Sequence, residues 1–183
     1  MPPLAIALGP VARQLLAEWS GLPKRDCVPD RASFDPMAVA SILPVVSLLQ
    51  QLSADEWRFR LIGTELERRW GRSLTGCNYI EIVSPDVAAI MRREFSAIVE
   101  HPCGSWSMRR LQFQSGQLVE VETLRLPLRS DDGEMTLVLS CSGEVGTTKP
   151  FSPDQPREII AVAQQRFFDI GAGTPAASIL ADV

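Results

Sequence analysis

The sequence predicts an α+β domain: a five-stranded antiparallel sheet with helices packed on one face, plus a helix at each terminus. Three observations lead there. Trp57, Phe59 and Leu61 alternate with Arg58 and Arg60, the period-two pattern of a half-buried strand. Three runs rich in apolar residues, separated by turn residues, follow one another between Trp106 and Val145. Before them, Val87, Ile90, Met91, Phe95, Ile98 and Val99 fall on one helical stripe, opposite Arg92, Arg93, Ser96 and Glu100.

Taken in chain order, residues 9–20 read as a helix with Leu8, Val11, Leu15 and Trp19 on one face, ended by Gly21 and Pro23. Asp35 before Pro36 is an N-cap with proline at the first helical position, and Pro44 stops that short helix. Residues 45–51 pair with 56–62 as a hairpin that turns near Ser53–Asp55. Thr64 and Glu67 have capping-box spacing, and Gly71 and Gly76 supply left-handed positions that end the helix and turn the chain. Ser84 and Pro85 open the long helix, which Pro102 closes.

The last three strands are assigned a register by matching apolar positions across the ladder. With Ser115, Gly116 and Gln117 as a loop, Phe113 faces Val119, Leu111 faces Val121 and Arg110 faces Glu122, while Met108 meets Leu124 and Trp106 meets Leu126. Asp132-Gly133 is a two-residue hairpin signal. It pairs Leu128 with Leu137, Leu126 with Leu139, and Leu124 with Cys141. One face thus collects Trp106, Met108, Leu124, Leu126, Leu128, Leu137, Leu139 and Cys141 and is taken as the core face. Leu111, Phe113, Val119 and Val121 then point outward and need cover from the N-terminal helix, a second protomer or a bulge.

After Gly146 the segment TTKPFSPDQP is linker-like. Ile159, Ile160, Ala163, Phe167 and Ile170 recur at helical spacing and predict a C-terminal amphipathic helix, and 171–183 reads as a flexible tail. The domain boundaries are accordingly an N-terminal helical extension over 1–24, the sheet domain over 25–146, and linker, helix and tail over 147–183.

The 183 residues with 45% hydrophobic content suit one domain with extensions. A net charge of -4 and a pI near 5.1 argue against nucleic acid as a partner. Arg68, Arg69 and Arg72 read as a solvated face. The four cysteines, Cys27, Cys77, Cys103 and Cys141, lack C-x-x-C spacing and fit free thiols in a cytoplasmic protein. No apolar run is long enough to span a bilayer, and the opening MPPLAIALGP lacks the basic residues and cleavage motif of a signal peptide.

The approach segment PDRASFDPMAVASILPVVSLL (29–49), the block FRLIGTELERRWGRSLTG (59–76) and the three-strand run to Val145 together resemble the PAS superfamily, in particular stand-alone PAS-like proteins of alphaproteobacteria. The resemblance covers most of residues 25–146. It implies a sensory or regulatory module acting through small-molecule binding or protein-protein contact, and brings no catalytic residues. It also implies no cofactor here, because the cysteine motif of the light-sensing flavin branch is missing.

The aromatic residues Phe59, Trp70, Tyr79, Phe95 and Trp106 lie on the elements that enclose a PAS interior. With Leu61, Met108, Leu126 and Leu139 they form the candidate lining of an apolar pocket, to which Asn78 and Tyr79 add polar contacts. The competing reading is an ordinary filled core, which fits a purely structural interaction adaptor. A small enzyme using Cys103 with His101, or a carboxylate, ranks low, and no metal site is assigned, because H-x-C has no second pair of ligands nearby. A homodimer is expected through Leu8, Val11, Leu15 and Trp19 of the first helix and through Leu111, Phe113, Val119 and Val121, since PAS-like modules commonly dimerise through flanking helices. The expected partners are a small apolar or amphipathic ligand and a signalling protein, with no nucleic acid and no membrane.

Overall fold

The computed structural model describes residues 7–113, 118–134, 136–145 and 156–175, with the side chains of 111, 113 and 156–163 excepted. Helix α1 (Pro10–Gly21) leads into a two-stranded ribbon, β1 (Lys24–Arg25) with β2 (Val28–Pro29), and three 3-10 turns (Arg31–Ser33, Pro36–Val39 and Leu43–Val45). The hairpin β3 (Val46–Ser53) and β4 (Glu56–Ile62) follows, then helices α2 (Thr64–Trp70), α3 (Tyr79–Ile82) and α4 (Pro85–Glu100). The chain closes with β5 (Cys103–Phe113), β6 (Leu118–Leu128), β7 (Leu137–Val145) and β8 (Pro156–Asp169). One antiparallel sheet has the order β4-β3-β7-β6-β5-β8.

The sixth strand is the largest departure from the sequence reading. The expected C-terminal helix is β8, paired along β5 from Cys103↔Asp169 to Phe113↔Pro156. Ile159, Ile160, Val162, Phe167 and Phe168 are β-branched or aromatic and favour a pleated surface. Pairing also satisfies the outer row of backbone groups that β5 would otherwise leave open. Gly104 lets the strands close up: a Cβ there would lie 2.1 Å from the Phe168 ring. The expected linker over 147–155 and the end of the tail lie outside the described residues.

The β6–β7 register is the one expected, with Leu124↔Cys141, Leu126↔Leu139 and Leu128↔Leu137. Its turn differs. Gly133 N–H donates to Ser130 O at 2.8 Å, and Gly133 has φ 85° while Asp132 does not have positive φ, so a type I turn over Ser130–Gly133 replaces the two-residue type I′ turn. In the β5–β6 hairpin the pairs are Trp106↔Leu124, Met108↔Glu122, Arg110↔Glu120 and Leu111↔Val119, a slip of two residues from the expected register. A two-residue slip keeps every side chain on its face, so the facial assignments survive while the pairs change. Arg110 salt-bridges Glu120 at 3.2 Å. Glu122 instead is buried, accepting from Trp106 Nε1 at 2.7 Å and from Gly9 N at 3.0 and 3.1 Å.

That carboxylate ties the start of α1 to the sheet. Ala12, Leu15 and Trp19 of α1 are buried against Leu124, Leu126, Leu128 and Leu139, and the half-buried Leu8 and Val11 pack on the same cluster. Trp19, 1% exposed, donates from Nε1 to Pro127 O at 2.9 Å. The stripe expected to bind a second protomer thus covers its own sheet. Burying an indole and a leucine so fully stabilises the fold by about 2–3 kcal/mol each.

Helices α2, α3 and α4 cover the opposite face, where Trp57, Phe59, Leu74, Met91, Phe95 and Ile98 form a second core. The α2 cap is not the capping box. Gly63 is the N-cap without a side-chain bond, and Glu67 reaches forward to accept from Ser73 Oγ at 2.8 Å and Leu74 N at 2.9 Å. Gly71 and Gly76 do take left-handed conformations, with φ of 66° and 81°. Asp35 caps its 3-10 turn as expected, accepting from Met37 N at 2.9 Å.

Candidate functional site

The face under α2–α4 is polar at its centre, which follows from the register. Ser47 of β3 pairs with Ser140 of β7, which pairs with Arg125 of β6, which pairs with Ser105 of β5. This row crosses four strands. The next row runs Ser142, Thr123 and Ser107, and the one after Glu144, Val121 and Arg109. Alternation puts these residues on one side of the sheet and the leucines of the α1 core on the other.

A cavity of about 210 Å³ lies between this polar floor and the helices. Its roof is apolar: Leu66 and Trp70 of α2, Tyr79 and Ile82 of α3, Val87 and Phe95 of α4. Its floor includes Ser47, Arg109, Thr123, Arg125, Ser140 and Ser142. Phe95 anchors an aromatic cluster, 5.0 Å from Trp57 and 5.4 Å from Tyr79 between ring centroids, with Phe59 5.8 Å from Tyr79.

Beside the cavity Glu94 of α4, 0% exposed, bridges the floor arginines. Arg109 Nη2 donates to its Oε2 at 2.7 Å, Arg125 Nη1 to its Oε1 at 2.8 Å, and Ser105 Oγ to Oε1 at 2.6 Å. Burial alone would raise the Glu94 carboxyl, but Arg125, Arg109 and the hydrogen bonds from Ser105 and Arg109 outweigh it and hold the carboxyl below its usual range. Burial lowers the Arg125 guanidinium to about 10, which leaves it charged at neutral pH. Two arginines against one glutamate give the triad a charge of +1. Burial likewise raises the Tyr79 phenol, so it stays a neutral donor.

Arg69, expected in the solvated face of α2, points inward. It lines the cavity, is 6% exposed, and ion-pairs with Glu144 of β7 at 3.4 Å and Glu65 at 3.7 Å. These pairs fasten α2 over the cavity.

Of the expected lining, Phe59, Trp70, Tyr79 and Phe95 are at the cavity. Leu61, Trp106, Met108, Leu126 and Leu139 belong to the core beneath α1 on the other face. Asn78 is a clamp rather than a lining residue. Its Oδ1 accepts from Trp57 N at 3.0 Å and Ile80 N at 3.2 Å, and its Nδ2 donates to Asp55 O at 3.0 Å, capping α3 and holding it to β4. Val119 and Val121, expected as an outward patch, are buried, and Val121 lines the cavity. The side chains of Leu111 and Phe113 lie outside the described residues. Cys103, the reactive-thiol alternative, is buried with its thiol pushed up to about 12, and so stays protonated and unreactive at neutral pH.

The sequence reading missed Glu94, Arg109 and Arg125. The signal was present: Glu94 stands inside the apolar stripe of α4, three residues after Met91 and four before Ile98, where a charge needs a buried partner. Among the described residues no group of acidic, cysteine and histidine side chains is arranged to hold a metal ion. No helix there is long and apolar enough to cross a membrane.

The sequence over residues 9–142 matches the family described as the PAS domain. No curated protein is significantly similar to the chain. Three solved structures illustrate its structural likenesses. The VqmA–ligand–DNA complex of Vibrio cholera is 13% identical, with a TM-score of 0.46 over 60% of this chain and 50% of that one. A PAS domain from Colwellia psychrerythraea is 14% identical, with a TM-score of 0.42 over 60% and 94%. An RNA-binding light-oxygen-voltage receptor is 19% identical, with a TM-score of 0.43 over 68% and 36%. The chain thus spans half the length of the DNA-bound receptor and about a third of the RNA-binding one. With a DNA-bound and an RNA-binding receptor among these neighbours, the exclusion of nucleic acid drawn from acidic composition does not stand. Net charge summed over a chain says little about any one surface patch.

Proposed function

Because this chain belongs to the PAS domain family, we propose that it is a sensory or regulatory module whose input is a small molecule held between the sheet and helices α2–α4. The observation that carries this reading is the cavity of about 210 Å³ with an apolar, aromatic roof and a buried polar floor. Small-molecule sites combine apolar walls with a few placed polar groups in this way. The volume exceeds the roughly 150 Å³ that admits benzene and falls short of drug-sized pockets, so it suits a compact ligand. An adaptor with a filled core is disfavoured by the same space. Catalysis through Cys103 is disfavoured by its burial.

The reading puts signal transmission in the roof. A ligand touching Leu66 and Trp70 of α2 and Ile82 of α3 bears on short helices, whose positions depend on tertiary contacts rather than on their own stability. Native mass spectrometry of freshly purified protein, followed by a thermal-shift screen of compounds with about six to twelve non-hydrogen atoms, tests it. The expected result is a retained or added ligand that Val87→Trp, which fills the cavity, no longer takes. If no compound distinguishes wild type from Val87→Trp and only the bare chain is seen, the sensory reading fails.

A further inference from the structure

We propose that the ligand is a small amphipathic monoanion, a carboxylate on an apolar body, seated with its charge at Arg109 and its body against the roof of the cavity; this rests on reading the cavity as a ligand site. The charge inventory of the floor carries the inference. Arg109 and Arg125 face the single carboxylate of Glu94, leaving one buried positive charge without a counter-ion in the triad. The other arginine at the cavity, Arg69, is paired with Glu65 and Glu144, whose side chains are 24% and 16% exposed and do not line the cavity. Their surplus negative charge is screened by solvent and does not reach the triad's floor. A buried charge without a partner is costly, and an anion is what relieves it.

The donors are placed for it. Arg109 is 4% exposed and lines the cavity, and its Nε has no hydrogen-bond partner among the described residues. Ser140 Oγ, in the central polar row, is likewise buried and unpartnered. Tyr79, whose hydroxyl stays protonated, lines the opposite wall. Water could satisfy these donors, but it would leave the charge in place.

The charge also sets the class of anion. A monoanion neutralises the triad, whereas a dianion such as a phosphate monoester would replace one uncompensated charge with another. An inorganic monoanion would satisfy the floor and leave the space under Leu66, Trp70, Ile82 and Val87 empty. A guanidinium donates a fork of parallel N–H bonds to a carboxylate, which selects it over a neutral amide of the same shape.

The test compares isosteric pairs on the full chain by calorimetry: benzoate against benzamide, and hexanoate against hexanamide, with chloride and inorganic phosphate as further probes. Each carboxylate is expected to bind wild type about tenfold more tightly than its amide, the typical advantage of a charge-assisted bond over a neutral one. Arg109→Met should abolish the preference, so that carboxylate and amide bind that variant equally, with the fold kept because Glu94 retains Arg125 as its partner at 2.8 Å. Arg109→Lys should retain the preference at lower affinity, which covers the case in which Arg109→Met does not fold. Leu66→Trp should abolish binding of both members of each pair. An amide that binds as tightly as its carboxylate overturns the anion inference and leaves the ligand-binding reading standing. Chloride or phosphate stabilising the protein as much as benzoate overturns it in favour of an inorganic-anion site. If wild type and Leu66→Trp both ignore every probe, the inference and the reading beneath it fall together.

Discussion

Replacing Glu94 by glutamine is the sharpest test of how the sheet and α4 are held together. The substitution preserves shape and removes one charge from a triad in which Arg109 and Arg125 both bond to it at 2.7–2.8 Å. The side chain is 0% exposed, so water cannot take over. Breaking a buried pair by removing one partner costs about 3–5 kcal/mol. Glutamine keeps one acceptor for Arg125 or Ser105, so the lower end, about 3 kcal/mol, is expected, or roughly 6–12 °C in Tm for a chain of this size. Urea unfolding followed by the fluorescence of the four tryptophans, among them Trp57 packed 5.0 Å from Phe95, should show a lower midpoint with an unchanged slope. Replacing the triad together, Glu94→Met with Arg109→Leu and Arg125→Met, should cost less than Glu94→Gln alone, because no buried charge is then left over. The carboxyl titrates below its usual range in the fold, so its contribution is present above the unfolded pKa and is lost as pH falls through the folded one. The gap between wild type and Glu94→Gln should therefore narrow below about pH 4. A loss smaller than about 0.5 kcal/mol at neutral pH, the size of an ordinary surface substitution, or a gap independent of acid, would refute the buried triad.

Three further outcomes follow from the fold. Thr64→Ala should change stability by less than about 0.5 kcal/mol, whereas Glu67→Ala, which loses Leu74 N and Ser73 Oγ, should cost about 1–2 kcal/mol in the same urea assay. Gly104→Val should drive the Phe168 ring off β5, which hydrogen exchange would read as lost amide protection over residues 164–169 while α4 stays protected. The Cys103 and Cys141 thiols, both pushed up to about 12 by burial, keep their protons in the fold while the unfolded chain ionises from near 9.0, so stability should fall as pH rises above 9.0, and Cys103→Ala/Cys141→Ala should flatten that fall in a thermal-melt series.

Local patterns made most of the fold legible. The β3–β4 hairpin, the limits of α4, the stripe of α1 and the β6–β7 register all follow from periodicity and from helix-stopping residues close in sequence. What could not be read depends on contacts between distant segments. Residues 159–170 carry a helical spacing, but an open edge at β5 recruits them as β8, and that edge exists only once the sheet has formed. Glu67 has the spacing of a capping partner, but a loop amide at Leu74 competes for it. Pairing Arg110 with Glu122 looked right by charge. The indole of Trp106 and the amide of Gly9 take Glu122 instead, and both reach it only through tertiary packing.

The candidate site was misplaced for a related reason, and the error bears on function. Ser105, Ser107 and Arg109, then Thr123 and Arg125, then Ser140 and Ser142, alternate with apolar residues in the manner of a sheet with one wet face. The inference that the polar side is outside rests on burial being costly for hydroxyls and guanidiniums. Here α2–α4 cover that side anyway, and the cost is met by Glu94 on the overlying helix and by hydroxyl pairs such as Thr123 with Ser142 at 3.1 Å. A sheet that only had to support a filled core would place leucines there, as this one does beneath α1. Keeping a polar floor under an apolar roof gives up packing and leaves Arg109 Nε and Ser140 Oγ unpaired among the described residues. Unpaired groups of that kind in a cavity are what a ligand's polar end can occupy. The stretch least legible as core is therefore the one most informative about what the domain binds.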